Sequence, residues 1–482
     1  MRKLPDIEKA QVLAQLPAQT VDMGPVFDRL LFAATALDVR TAGWATAKDI
    51  EARQKVRLSR LLHHLAHGKS LYAPYLRDYL DGSVQLQMLP VFHRSELMQR
   101  FDEWVTDPQI SLTGLTAFTA DSERIGKPYL GKYTVWKSSG SSGQPCQFVQ
   151  DRSAMAVYDA LEAYRRSPPS PLLRSLDPLF LSERIAFVGA TGGHFASVAS
   201  VRRLADINPW TAQVTRSMSI MQPTWALVAE LNAYEPSILA TYPTVASMLV
   251  EQTAMGALHI APREIWTGGE TLSSAARARI EAVWTSTVRN HYGASEFLSI
   301  ASECSHRQMH VNCDWVILEP VDEHYKPVPL GHESATTLLT NLANTVQPLV
   351  RYDMQDEVAV SNQPCACGSP LPVIRVVGRN DAPLTLRSAN DDAVVLLPMA
   401  LTTVLEEQAG LFEFQLRQRD AQTLELAIPQ SGTQGDEAMQ RGCAALQEFL
   451  HQHGLVSTRI VRQTGAVLRQ GSSGKTARVL AA

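Results

Sequence analysis

Between residues 133 and 293 the chain alternates short β-prone runs with helical runs, and nothing else in it restricts the fold as much. The β-prone runs are YTVWKS, RIAFVG, SILATY, EIWTGG and TVRNHYG; the helical ones are AMAVYDALEAYRR, TVASMLVEQTAMG and SSAARARIEAVW. Such alternation predicts an α/β body, a sheet covered by helices. After residue 310 strands dominate, in HVNCDWVILEPV, ATTLLTNLA, PLVRYD and EVAVS, which predicts a β-rich subdomain closing that body. Beyond GRND at 378–381 come FEFQLRQRD, TLELAIP, the helical DEAMQRGCAALQEFLHQHG and TRIVRQT, a pattern fitting a small α+β C-terminal domain. Residues 1–115 are expected to be a helical lead-in, with Leu61, Leu62 and Leu65 on one helix face. The expected division is 1–115, 116–380 and 381–482, and the strongest break is near Asp381.

Charge and apolar patterning narrow the partners. The 44 Lys plus Arg against 48 Asp plus Glu lack the basic excess of a dedicated nucleic-acid binder. The most apolar windows, LLFAATAL and VVLLPMAL, fall far short of the roughly 18 to 20 residues of a membrane span. The N-terminal MRKLPDIEKAQVLAQLP lacks the apolar region of a signal peptide, so a cytoplasmic location is expected, with neither membrane nor nucleic acid as partner.

The loop SSGSSGQP at 138–145 follows one predicted strand and precedes another. Its glycines and hydroxyls let backbone amides and Oγ groups close around an anion, although the same composition also makes an ordinary hairpin turn. This segment resembles the phosphate loop of the adenylate-forming superfamily, S/T-S-G-T/S-T-G-x-P. Gln144 departs from it, standing where the family usually has Lys and removing a cation near the leaving pyrophosphate. WTGGE at 266–270, NHYGASE at 290–296, PLVRYDMQDEV at 348–358 and GRND are similar, in the same order, to further motifs of that superfamily.

The resemblance implies an ATP site. Ser138, Ser139, Gly140, Ser141, Ser142 and Gly143 would cradle phosphates, and Gly268, Gly269 and Glu270 would form the adenine turn. Tyr292, followed by Gly293, would stack on the base, Ser295 would contact the α-phosphate, and Glu296 would hold Mg²⁺. Asp356 and Arg379 would bind the ribose, and Asp381 would be the hinge of a mobile C-terminal lid. Singly, Asp356 reads as a solvated loop acid and Arg379 as a surface cation; five motifs in order change that reading. Near the C-terminus, RQGSSGKTARVL places Lys475 where the superfamily keeps its catalytic lysine. A Walker phosphate loop is the rival there, but Arg469 occupies the first glycine position and only six residues follow Thr476.

Four of the six cysteines lie between 304 and 367. Cys304, His310, Cys365 and Cys367 offer four soft ligands suited to a structural Zn²⁺, with His306 or Cys313 as replacements for His310. The plainer alternative is a set of small buried thiols. The phenylacetate-CoA ligase branch resembles this chain in carrying C-x(5-6)-H and C-x-C at these places, and that branch, with its coenzyme-F adenylylating relatives, is the nearest match.

The implied activity is AMP-forming. A carboxylic acid, aromatic by preference, is activated with ATP and magnesium as an acyl-adenylate and passed to a thiol, coenzyme A first among the acceptors. A carrier protein, an amine, direct adenylylation of a hydroxyl and a non-catalytic ATP-binding role stand as alternatives, and a homodimer is the assembly allowed for. For the acid, VGATGGHFASVAS at 188–200, with His194 and Phe195, and ATYPTVAS at 240–247 are candidate pocket segments or plain core.

Overall fold

The computed structural model describes residues 26–80, 86–138, 146–166, 177, 180, 182–377, 383–468 and 478–481. The N-terminal part is helical, with helices Arg29–Ala42, Ala47–His67, Ala73–Leu80, Arg94–Gln99 and Leu112–Thr119 among its elements. Local sequence sets their starts. Asp28 accepts hydrogen bonds from the Leu30 and Leu31 amides, and Thr46 with Asp49 forms a reciprocal capping box. Leu61, Leu62 and Leu65, one turn apart or less, are wholly buried.

Next comes an antiparallel hairpin of β1 (Thr134–Ser138) and β2 (Cys146–Gln150), followed by the helix Arg152–Arg165, capped by Asp151. The central sheet then receives β3 (Ile185–Gly189), β4 (Thr215–Ser219), β5 (Ile238–Thr241), β6 (Glu264–Gly268) and β7 (Thr287–Tyr292), all mutually parallel. Helices Thr224–Tyr234, Pro243–Ala254 and Ser274–Trp284 occupy successive connections, and a helical crossover returns the chain in the same direction. Leu239, Ile265 and Val288 sit in the buried middle of these strands at 0% exposure.

After β7 the crossovers stop and the sheet turns antiparallel. β8 (Ala301–Glu303) and β9 (Met309–Val311) continue it, and the chain leaves to form a separate three-stranded sheet of β10 (Val316–Val321), β11 (Thr336–Asn341) and β12 (Tyr352–Asp353). It comes back through β13 (Glu357–Val360) and β14 (Val373–Val377), completing nine strands in the order β13-β14-β9-β8-β7-β6-β5-β3-β4. The predicted strand PLVRYD is realised only at Tyr352–Asp353. Upstream of it, Asn341 Oδ1 accepts from the Ala343 and Asn344 amides, and Asn344 Oδ1 from those of Val346 and Gln347. These side chains satisfy buried backbone donors that a strand would have paired, so the segment turns instead.

The C-terminal elements are a hairpin of β15 (Leu384–Arg387) and β16 (Ala393–Leu396), and a four-stranded sheet. That sheet contains β17 (Gln415–Asp420), β18 (Thr423–Ala427), β19 (Arg459–Gln463) and β20 (Val479–Leu480), with the helix Gly432–Gln452 between β18 and β19. Two large apolar clusters, beside a small one of Ala42, Ile50 and Leu371, hold the described residues together. One joins the N-terminal helices to the β1–β2 hairpin and to Phe297, Val316 and Tyr352; the other joins Met218, Leu227 and Leu249 to Leu384, Leu396, Leu401 and Leu405. No helix among the described residues is long and apolar enough to cross a membrane.

Candidate active site

The parallel strands deliver two of the predicted motifs side by side, because β6 and β7 pair from Glu264 opposite Thr287 to Gly268 opposite His291. At the end of β6, Gly269 adopts φ +78°, a left-handed conformation that suits glycine, and Glu270 is fixed by accepting from the amide and hydroxyl of Thr244 at 3.1 and 2.8 Å. At the end of β7, Gly293 is obligatory: a Cβ there would stand 2.0 Å from the Leu298 carbonyl oxygen. This close approach folds the Gly293–Glu296 segment back on itself, with Ala294 and Phe297 exchanging backbone hydrogen bonds. Two further contacts pin it from outside. Trp136 of β1 donates through Nε1 to the Ser295 carbonyl at 2.9 Å, and Asn341 of β11 donates to the Glu296 carbonyl at 3.0 Å.

Two tyrosine–carboxylate pairs lie at the centre. Tyr292 donates its hydroxyl to Asp356 Oδ2 at 2.8 Å, and Tyr352 donates to Glu296 Oε1 at 3.1 Å. The pairs cross-link the YGASE and RYDMQD segments, so that Glu296 and Asp356 come to one place. Glu296 keeps some exposure, yet the groups around it exclude water, and that desolvation raises its pKa; the charge of Arg94 opposes the rise. The phenols of Tyr292 and Tyr352 are pushed well above the ordinary tyrosine value, chiefly by burial and then by the adjacent carboxylates, so both remain donors. A carboxylate held this way is a hard oxygen donor whose charge is incompletely balanced, and it suits a magnesium ion.

The N-terminal helices reach this centre. Tyr72 and Trp104 both donate to the Pro348 carbonyl, at 2.9 and 2.5 Å, while Phe92 and Arg351 join through a backbone bond of 3.1 Å. Arg351, with φ +48°, sends its guanidinium to the Gln87 carbonyl at 2.7 Å and to Glu319 at 3.2 Å. Arg94 Nη2 donates to Ser138 Oγ at 2.7 Å, where β1 ends. Sequence reasoning missed Arg94 and Tyr352. Tyr352 at least stands inside a quoted motif; Arg94 carries no local mark.

Of the predicted site residues, Ser138, Gly268, Gly269, Glu270, Tyr292, Gly293, Ser295, Glu296 and Asp356 are placed as described. Ser139, Gly140, Ser141, Ser142, Gly143, Arg379, Asp381 and Lys475 lie outside the described residues. From the last motif Arg478 is described: it pairs with Glu406, whose carboxyl burial pushes up to about 7 despite that cation. A second link, Lys137 of β1 to Glu407 at 2.5 Å, ties the C-terminal elements to the loop-bearing hairpin. The candidate acid-pocket segments are largely core. Ala190, Val198, Val245 and Ala246 are buried, and His194, at 1% exposure, sets Nε2 2.9 Å from the Asp121 carbonyl oxygen.

The cysteine cluster assembles as expected. One ligand atom from each of Cys304, His310, Cys365 and Cys367 lies within 4.8 Å of the others. Cys304 begins the turn after β8, His310 is in β9, and β14 sets Val373 opposite His310, bringing residues 361–372 across that turn. The sulfurs of Cys304 and Cys365 are 3.8 Å apart, and Cys367 Sγ is 3.3 Å from His310 Nε2. The other ring nitrogen, Nδ1, is 2.8 Å from the Leu371 carbonyl oxygen, which orients Nε2 toward the sulfurs. The His306 and Ser369 amides donate to Cys304 and Cys367 sulfurs at 3.3 and 3.5 Å. His306 thus contributes its backbone, and Cys313 is not part of the group. Soft donors at these separations fit a tetrahedral zinc ion.

No family model matches the chain, and no curated protein matches it in sequence. Solved structures do. A 2-hydroxyisobutyryl-CoA ligase in complex with 2-HIB-AMP and CoA, in its thioesterification state, is similar over 91% of this chain and 91% of its own, with a TM-score of 0.55 and 16% identity. The same ligase in the postadenylation state with R3-HIB-AMP gives 0.52 and 17% over 91% of each chain. At these identities the likeness establishes the fold alone: the chain has the α/β architecture of that ligase.

Proposed function

We propose that this protein activates a carboxylic acid with ATP as an acyl-adenylate and then transfers the acyl group to a thiol, coenzyme A being the acceptor. The carrying observation is the convergence of Glu296 and Asp356, from segments some 60 residues apart in sequence, on one tyrosine-linked centre at the end of β7. The fold it sits on is that of a ligase solved with an acyl-adenylate and CoA.

In the first step a carboxylate oxygen attacks the α-phosphorus and the bond to pyrophosphate breaks. In the second the thiol attacks the acyl carbon, AMP leaves, and the thiol proton goes to solvent. The protein's part is positioning and charge: Gly269 and Glu270 bound the base, Tyr292 orients Asp356 toward the ribose, and Ser295 faces the α-phosphate. Glu296 would hold magnesium, which when bound supplies charge neutralisation at the phosphates. Lys475 is assigned the cation of the adenylation transition state, and Ser139–Gly143 the phosphate cradle. Arg379 and Asp381 are assigned the second ribose contact and the hinge. Cys304, His310, Cys365 and Cys367 would hold a structural zinc with no open coordination position. An aryl carboxylate would suit the small residues of 188–200 that are not buried in the core, Thr191, Gly192 and Ala196 among them.

ATP–pyrophosphate exchange with a panel of aryl and alkyl acids, without thiol, tests this reading. Exchange dependent on one acid, lost by several orders of magnitude in Lys475→Ala, is expected. Failure of every acid to support exchange, in protein that binds ATP, would sink acyl-adenylate formation and favour adenylylation of a hydroxyl or a non-catalytic role.

A further inference from the structure

The described side chains at the Glu296 centre are acids and phenols, with one cation among them. Arg94 arrives from the helix Arg94–Gln99, far from every motif in the sequence. Its described hydrogen bond is to a neutral group, Ser138 Oγ, at 2.7 Å. Its Nε is buried and has no hydrogen-bond partner among the described residues. A guanidinium offers five donors in a planar fork, so this arrangement leaves donor capacity unused near the Glu296 carboxylate, which its charge only partly balances. Its charge acts on Glu296, Tyr352 and Cys146, and also on Glu406 of the C-terminal elements.

The loop that begins at Ser138 has Gln144 and contains no Lys or Arg between 138 and 145. A triphosphate bound at the Glu296 centre would gain no positive side-chain charge from that loop, whatever its path. We propose that Arg94 supplies that charge, its guanidinium binding a phosphate oxygen of ATP while Ser138 fixes its orientation. This inference rests on the ATP-dependent reading above. It makes the N-terminal helical region part of the nucleotide site, with Arg94 a nucleotide-binding residue that also offsets Glu296. Arginine suits the place because its fork holds Ser138 and a phosphate oxygen at once, which a lysine ammonium does with less geometric definition.

The test uses the full chain. Wild type, Arg94→Gln and Arg94→Lys are titrated calorimetrically with MgATP and with adenosine, after their thermal midpoints are compared. Arg94→Gln should weaken MgATP roughly 10- to 100-fold, the span of one charge-assisted contact, and leave adenosine binding unchanged; Arg94→Lys should recover part of the loss. Unchanged MgATP affinity in Arg94→Gln overturns the proposal. So does a parallel loss of MgATP and adenosine, which a purely architectural arginine would produce. If Arg94→Gln does not fold, Arg94→Lys decides: weaker MgATP with normal adenosine supports the contact, and equal affinities overturn it. A wild type that binds MgATP but shows no acid-dependent exchange refutes acyl activation and leaves this contact testable; one that binds no MgATP refutes both.

Discussion

Two dense side-chain clusters grow from the antiparallel end of one sheet and differ in what they leave undone. Around Cys304, His310, Cys365 and Cys367 every donor faces inward, the imidazole is oriented by the Leu371 carbonyl, and backbone amides already satisfy two of the sulfurs. At Glu296 and Asp356 each carboxylate has its tyrosine, but the desolvated Glu296 carboxyl sits above its ordinary pKa, and Arg94 keeps a buried Nε without a hydrogen-bond partner among the described residues. The first cluster offers four soft donors that one small cation would complete. On the proposed function, the second would be completed by a ligand carrying both charges, such as a metal–phosphate. The proposed difference is that between a site that stabilises and a site that reacts.

The largest expected effect breaks the comparison on the reactive side. Glu296→Gln should cut pyrophosphate exchange by about 100- to 1000-fold, as loss of a transition-state charge partner does. The ligand-free protein should be no less stable, because an amide avoids the desolvation that the carboxylate suffers. The pH dependence follows from the sign of the shift. Glu296 has a folded pKa above its ordinary 4.5, so the stability it contributes is fully present below that value and is lost as pH rises through the folded pKa. Denaturant unfolding of wild type and Glu296→Gln from pH 4 to 8 should show this slope in the first and its loss in the second. Unaltered exchange in Glu296→Gln would make the cluster architectural and erase the contrast.

On the other side, Cys365→Ser should remove one equivalent of zinc by elemental analysis and lower stability on the order of 3 kcal/mol, as loss of a structural metal does. Exchange per folded molecule should remain at wild-type level below the unfolding midpoint. A fall in exchange that outruns the loss of folded protein would mean that the two clusters are coupled through β8 and β9.

The two clusters were also unequally legible in the sequence. Cys-x-Cys and the YGASE and RYDMQD segments are short, so chemistry and spacing are visible together, and the strand–helix alternation foretold the sheet covered by helices, although its first run, YTVWKS, went to a separate antiparallel hairpin. Arg94, Tyr72 and Trp104 were invisible. Each acts on a residue distant along the chain, Arg94 on Ser138 44 residues away and Tyr72 and Trp104 on the Pro348 carbonyl 276 and 244 residues away, and such contacts leave no local pattern. The strand expected at PLVRYD shrank for a related reason: the asparagines at 341 and 344 turn the chain just ahead of it by accepting from the Ala343, Asn344, Val346 and Gln347 amides, the Arg351 amide goes to Thr340 Oγ1, and the sequence alone does not say whether an Asn bonds its own backbone.

The smallest expected effect sharpens the contrast inside the reactive cluster. Tyr292→Phe keeps the ring and removes only the hydroxyl bond to Asp356, and Asp356 retains other interactions, so the loss should be about 1 kcal/mol, roughly fivefold. If Asp356 meets the ribose, that loss falls on the KM for ATP and on adenosine affinity, with kcat unchanged. Arg94→Gln has the opposite signature, sparing adenosine and weakening the phosphates. The two substitutions therefore divide the centre into a nucleoside half organised by Tyr292 and Asp356 and a phosphate half organised by Arg94 and Glu296. A kcat effect in Tyr292→Phe without a change in KM would dissolve that division, because the hydroxyl would then act through Glu296 on the step in which charge builds.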